Sequence, residues 1–344
     1  MPPLSRRAAG HLAATLCAAS VLTGTTRAAA TEIVVVGLTA PTGITRDRYT
    51  QLAERLPRTF AGGATVTVMV DGQAGSEEAM AGALRRGRAH FGQLTIPGIA
   101  AAAPEMAVLM APYLFDSFDE EDFVLDRFVA PLATELLAAR GLTFIGFSDS
   151  GWFVVFNRTA LIAPEAARTQ RLRAAGGDAS RLFLAAVGAD VAEMAFAELV
   201  PALQTGLVQG GVTNLIMYRT AGLVRAAPHV TLTRHAVNPG VSVANKAWFD
   251  ALSPGNQALI RAAMGDHQQL RDGVRRECDE ALAALAADGL VVHEPGAADL
   301  ARWRAAGLST HGELIRRLGG RAQELYDAIQ AGKRAYEAAT RASR

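Results

Sequence analysis

Two ten-residue stretches, ALRRGRAHFG at 83–92 and ALQTGLVQGG at 202–211, share the pattern A-L-x-x-G-x-x-x-x-G. In each, a helical spacing ends at a glycine and a short strand pattern follows. The pattern occurs once in the front half and once in the back half, so both halves follow the same strand–helix order. Its surroundings agree. TEIVVVGLTAP reads as a buried strand and a turn, and YTQLAERLPRTF has helical spacing. ATVTVMVDG is rich in β-branched residues, and SEEAMAGALRRG is a helix capped by Ser76 and stopped at Gly87. Alternation of this kind predicts an α/β chain with largely parallel sheets.

The second copy sits in AFAELVPALQTGLVQGG, residues 195–211. Glu198 falls in the first helical turn, where an acid meets the positive end of the helix dipole. Pro201 is acceptable there because first-turn N–H groups lack helical partners. Gly206 supplies the left-handed stop. Gly210 and Gly211 then leave the backbone bare, either for a ligand to approach or for helix and strand to pack.

Composition bounds the class. The chain has 344 residues, half of them apolar, which allows one large domain or two medium ones. Its start reads as an export signal: a basic segment, an apolar run of about a dozen residues, then small residues, with cleavage expected near Ala30. The run is shorter than the ~20 residues that span a bilayer. Three of the 34 basic residues and no acid precede residue 31, so the remaining chain is slightly acidic against its 33 acids. No basic stripe interleaved with aromatics appears, which argues against nucleic acid as a partner. Removal of the signal leaves Cys278 alone, without an internal disulfide partner.

RLRAAGGDASRLFLAAVGADVAEMAF reads as a further strand–helix–strand unit, and residues beyond 245 are mostly helical, broken at Ser253-Pro254-Gly255. No low-complexity linker separates the halves. The chain is therefore expected to cross between two similar α/β lobes more than once.

Four segments carry a resemblance. APYLFDSFDEEDFVLD, GLTFIGFSDSGWFVVFNRTALIAP, RLRAAGGDASRLFLAAVGADVAEMAFAELVPALQTGLVQGG and NKAWFDALSPGNQALIRAA, in that order and spacing, resemble the periplasmic solute-binding subunits of TRAP transporters, the DctP-type family. The resemblance covers nearly all of the chain after the signal. It implies a two-lobe periplasmic binding protein clamshell with hinge strands and long C-terminal helices. Residues 31–149 with roughly 240–280 would form lobe I, and 150–239 with roughly 281–344 lobe II. It implies capture of a small organic acid, delivery to a small and a large TRAP membrane subunit, a monomer, no cofactor, no metal and no catalysis.

The resemblance also implies site residues. Arg173 falls on the family arginine that pairs a solute carboxylate, a role suited to a planar guanidinium with two parallel donors. Phe196 falls on an apolar position beside the ligand, and Thr213 on a polar position after the signature, with Asn214 next to it. Glu77, Thr95 and Thr39 fall on positions of the first lobe that contact ligand in some members. Three departures are visible: Gln209-Gly210 stands for the usual Asp-Gly, LRAAGG lacks the usual β-branched and proline residues, and Trp152 and Phe153 stand where many members carry a second arginine or polar group. The pocket is expected to be less cationic and more aromatic, favouring a monocarboxylate or a partly apolar acid.

Two other classes compete. A solute-binding sensor that presents ligand to a signalling receptor would share the same sequence features. A secreted hydrolase would need a nucleophile elbow, but GFSDSG misses the G-x-S-x-G spacing by one residue. The seven histidines form no metal-ligand cluster, and His235 is expected to shape a hinge.

Overall fold

The computed structural model describes residues 31–342; the expected signal and its cleavage point near Ala30 lie outside the described residues. The described strands are β1 Thr31–Gly37, β2 Ala64–Met69, β3 Phe91–Thr95, β4 Leu142–Phe147, β5 Trp152–Asn157, β6 Arg171–Ala174, β7 Asp190–Glu193, β8 Gly210–Asn214, β9 His229–Val237, β10 Gly240–Asn245 and β11 Val291–His293. They form a five-stranded sheet in the order β2-β1-β3-β10-β4 and a six-stranded sheet in the order β11-β9-β5-β8-β6-β7. In the first, β1 runs parallel to β2 and β3, while β10 is antiparallel to β3 and β4. In the second, β6 runs parallel to β7 and β8, and β5 is antiparallel to both β8 and β9. The chain passes between the sheets at residues 148–151, from β4 to β5, and at residues 238–239, from β9 to β10.

Local sequence sets many of the helices. Ser76 accepts a hydrogen bond from the Ala79 N–H at 3.3 Å and starts the helix Glu77–Arg85, which buries Met80, Ala81 and Leu84. Such a cap contributes about 1 kcal/mol. Asn214, Ser253 and Asp266 cap three more helices in the same way. The short helix Leu199–Thr205 ends at Gly206, whose φ of 75° is the left-handed stop its sequence predicts.

The helix His267–Ala287 joins the two halves. Leu270, Val274 and Cys278 pack with Ile33, Val35 and Tyr49 against the first sheet. Ala281 and Leu285 lie further along the same stripe and pack with Val154, Phe156 and Tyr218 against the second. One amphipathic stripe thus serves two cores, at roughly 1.5–3 kcal/mol for each large side chain fully buried. A third core is shared by both sheets, with Val36 and Leu94 from one and Phe153, Leu172 and Val212 from the other around Met106, Leu109 and Leu125. Leu325 and Ile329 anchor the terminal helix Ala322–Ala342 to that core, where it lies along residues 104–129. No helix of the described residues is long and apolar enough to cross a membrane.

Candidate functional site

The residues singled out in the sequence gather at one end of both sheets. Thr95 is the last residue of β3, Arg173 lies near the end of β6, and Asn214 closes β8. Thr39 lies just beyond β1. β5 runs the other way, and its Phe153 pairs with Asn214, so Trp152 comes to the same end. The turns after β3 and β6 approach each other: a Cβ on Gly176 would lie 3.8 Å from Pro97 Cβ. Carboxyl ends of parallel strands are where open α/β sheets hold ligands.

On the first sheet, Glu77 and Thr95 form one unit. The Thr95 backbone N–H donates to Glu77 Oε1 at 2.7 Å, and the Thr95 hydroxyl donates to Oε2 at 2.5 Å. The carboxyl is half-buried rather than a solvated first-turn acid, and desolvation raises its pKa despite both hydrogen bonds. Thr39 is half-buried as well, and its hydroxyl donates to the neighbouring Ala40 carbonyl at 3.1 Å.

On the second sheet, Arg173 and Phe196 form another. Arg173 is 7 % exposed, and its Nε donates to the Met194 carbonyl at 3.4 Å. Its guanidinium carbon lies 5.6 Å from the Phe196 ring centroid. Among the described residues no carboxylate forms an ion pair with it, and burial lowers its pKa to about 10. The result is a buried cation whose side-chain partners among the described residues are one carbonyl and one ring face.

Gly210 and Gly211 answer the question their adjacency raises. β8 lies between β5 and β6, and Gly211 pairs with Arg173. A Cβ on Gly210 would meet Phe156 O at 2.1 Å, and one on Gly211 would meet Arg173 O at 2.6 Å. Backbone of the neighbouring strands fills the space, so packing of this region requires both glycines. Gln209 brackets the same register: its Oε1 accepts from the Arg171 N–H at 2.8 Å and its Nε2 donates to Gly206 O at 3.1 Å.

Thr213 and Asn214 are both buried, and Asn214 Oδ1 accepts from the Met217 N–H at 2.8 Å, so one of its acceptor sites serves its helix. Trp152 lies against Phe118, with ring centroids 5.0 Å apart, and borders a cavity of about 60 Å³ with Arg275 and Cys278. A larger cleft of about 410 Å³ opens between residues 40–43, the helix Leu215–Thr220 and the long helix, with Arg219, Glu277 and Glu280 on its walls. Neither cavity includes Arg173 in its lining. Neither Thr39 nor Asn214 lines the larger one, Trp152 borders the smaller, and Arg173 with Phe196 stands apart from both.

The serines of GFSDSG serve the crossings between the sheets. Ser148 Oγ accepts from Gln93 Nε2 at 2.7 Å, and Ser150 Oγ donates to Asn238 O at 2.7 Å. The second contact ties one crossing to the other, and Asn238 Oδ1 in turn accepts from the Ile96 N–H at 3.1 Å. His235 is buried and stacked on Phe183 at 4.4 Å, with its pKa lowered to about 3 by burial, so it packs the shared core as a neutral ring. Burial pushes the Cys278 thiol up to about 12. Gln93, Asn238, Phe118 and Arg275 were not singled out from the sequence, and their partners lie too far along the chain for spacing to reveal them.

The bacterial extracellular solute-binding protein family 7 model, DctP, matches residues 38–317. The chain is 26 % identical over 291 residues to the C4-dicarboxylate-binding periplasmic protein DctP of Rhodobacter capsulatus, covering 83 % of this chain and 86 % of that one. The crystal structure of the sugar acid binding protein from Advenella mimigardefordensis in complex with galactonate superposes with a TM-score of 0.79 at 25 % identity, covering 88 % of this chain and 99 % of that one. A TRAP periplasmic solute-binding protein from Shewanella oneidensis with bound succinate superposes with a TM-score of 0.80 at 18 % identity, covering 89 % and 100 %. These are similarities to solute-binding proteins rather than enzymes, and they agree with the two-sheet architecture and with serines and a histidine committed to packing. On the extent of the family match, this chain belongs to bacterial extracellular solute-binding protein family 7, the DctP family.

Proposed function

We propose that this chain is the extracytoplasmic solute-binding subunit of a TRAP transporter, which captures a small organic acid and delivers it to a small and a large membrane subunit. The observation that carries the reading is Arg173: a buried cation without a protein carboxylate, near the carboxyl end of a parallel strand. A solute carboxylate would supply the missing charge through two parallel hydrogen bonds. Phe196 would cover the guanidinium face, and Glu77 with Thr95 would accept or donate hydrogen bonds from the other sheet. Lobe I would comprise residues 31–149 with roughly 240–280, and lobe II residues 150–239 with roughly 281–344, closing about residues 148–151 and 238–239.

The solute class we favour is a monocarboxylate with hydroxyl or apolar character. Support comes from Trp152 and Phe153, which stand where a second cation would serve a diacid, and from the galactonate bound by the Advenella relative. Calorimetry with galactonate, glucuronate, benzoate and succinate tests this. A monocarboxylate should bind most tightly, and Arg173→Ala should weaken it tens- to thousands-fold, the equivalent of about 2–5 kcal/mol. Arg173→Lys should recover little of that loss, because an ammonium lacks the planar fork. Succinate binding more tightly than every monocarboxylate would refute the class, and undiminished carboxylate binding by Arg173→Ala would refute the site.

A further inference from the structure

The crossing at residues 148–151 is fastened to the long helix by one side chain. Arg275 Nε donates to Asp149 Oδ2 at 2.7 Å, and Asp149 Oδ1 accepts from the Gly151 N–H at 2.7 Å. The two terminal nitrogens of Arg275 fork onto Asp122 at 2.7 and 2.8 Å. Asp122 belongs to the helix Phe118–Val124 and also accepts from Arg271 at 3.2 Å, which itself forks onto Asp126. All five donors of a guanidinium lie in one plane, so filling three of them with two carboxylates fixes that plane.

The fixed plane has a consequence on its open face. Phe118 lies over it, with its ring centroid 4.1 Å from the Arg275 guanidinium carbon, and Trp152 lies against Phe118 at 5.0 Å. The order is Asp149, Arg275, Phe118, Trp152, with both ends in or beside the crossing. Gly151 closes the loop: its φ is +78°, and a Cβ there would lie 2.4 Å from Cys278 Sγ on the long helix. Any rotation of this crossing must therefore move Arg275, and any movement of Arg275 must move the stack that ends at Trp152.

We propose that Arg275 is a positioning residue that couples the Trp152 wall of the small cavity to the hinge crossing. Its use in closure rests on the clamshell reading above, but the coupling itself is a property of the protein without solute. Glu121 adds to the cost of disturbing it. Its carboxyl is buried, neither oxygen has a hydrogen-bond partner, and one lies 3.6 Å from Arg275.

Fluorine NMR of the full chain labelled with 5-fluorotryptophan tests the proposal without solute. The chain has three tryptophans, and Trp152→Phe assigns the resonance of interest. Arg275→Met should shift and broaden the Trp152 signal while leaving Trp303, whose Nε1 donates to Ile162 O at 2.9 Å in the shared core. It should also speed amide exchange at Gly151 at least about tenfold, as loss of one hydrogen bond to a charged group predicts. Arg275→Lys should restore the signal in part. An unmoved Trp152 signal, or a Trp303 signal that moves equally, overturns the proposal. If Arg275→Met does not fold, Asp149→Asn keeps the Asp122 fork and must by itself shift Trp152 and speed Gly151 exchange; no change in either overturns it as well. Failure of the clamshell reading would appear in the solute panel and leave these signals unaffected.

Discussion

Arg173→Met separates stability from binding, because the two should move in opposite directions. Burial lowers the Arg173 guanidinium to about 10, and among the described residues no carboxylate offsets it. The folded-state value is below the unfolded one, so the charged form is disfavoured by folding at every pH below about 10. A fall of that size costs about 3 kcal/mol. Methionine removes the charge and keeps an unbranched apolar stem. It also removes the hydrogen bond to Met194 O, which at 3.4 Å is long, and the contact with the Phe196 ring. Those two together are worth about 1–2 kcal/mol. The balance is a gain of about 1–2 kcal/mol for the solute-free protein, a rise of roughly 1.5–3 °C in melting temperature for a chain of this size. Carboxylate binding should fall by the tens- to thousands-fold expected for loss of a buried ionic partner. The assay is thermal unfolding after denaturation and refolding to strip carried solute, in a buffer free of carboxylates, with calorimetry alongside. A variant destabilised by more than about 1 kcal/mol would refute the reasoning, because it would show that the protein itself satisfies this cation.

Gly210→Ala should lower the denaturant midpoint by the equivalent of about 3 kcal/mol or more, since its Cβ would sit 2.1 Å from the Phe156 carbonyl; an unchanged midpoint would mean that β8 can shift freely. Burial first, and the neighbouring Asp149 second, raise the Glu121 carboxyl well above its ordinary value, so it keeps its proton to a higher pH in the fold than in the unfolded chain, where it ionises above about pH 4.3. Its contribution to stability is thus full at acid pH and declines as pH rises towards the folded-state value, so Glu121→Gln should match the parent at pH 4 and exceed it at pH 7 in a melting profile; an equal gap at both would contradict this. A bound monocarboxylate at a hundredfold excess over its dissociation constant should stabilise the fold by about 2.7 kcal/mol and reduce the radius of gyration in X-ray scattering, whereas tight binding without contraction would count against closure. N-terminal sequencing of exported protein should begin near Thr31, and a first residue of Met1 would remove the signal reading.

Local events along the chain were legible because their partners are close in sequence. Ser76 and Gly206 each act on neighbours within a few residues, and the repeated A-L-x-x-G-x-x-x-x-G pattern carried the alternation behind the parallel pairs β1–β2, β1–β3, β6–β7 and β6–β8, whereas the antiparallel pairings of β5 and β10 that make both sheets mixed were not in it. Arg173 could be picked out by its resemblance to a family position, and its burial was not visible from composition. Contacts between distant segments were decided only in three dimensions. The helix Ile44–Thr59 has no side-chain cap of its own, and its Ile44 N–H instead donates to Glu277, 233 residues away. Gly210 and Gly211 suited a ligand or a packed backbone equally well until β5 and β6 were found on either side of them. Trp152 read as a pocket wall, and its backing by Phe118 and Arg275 depends on three segments meeting at one crossing. Sequence encodes such contacts only through the whole pattern of burial. Their energies depend on distance and desolvation in the folded chain, and no short window of residues contains either quantity.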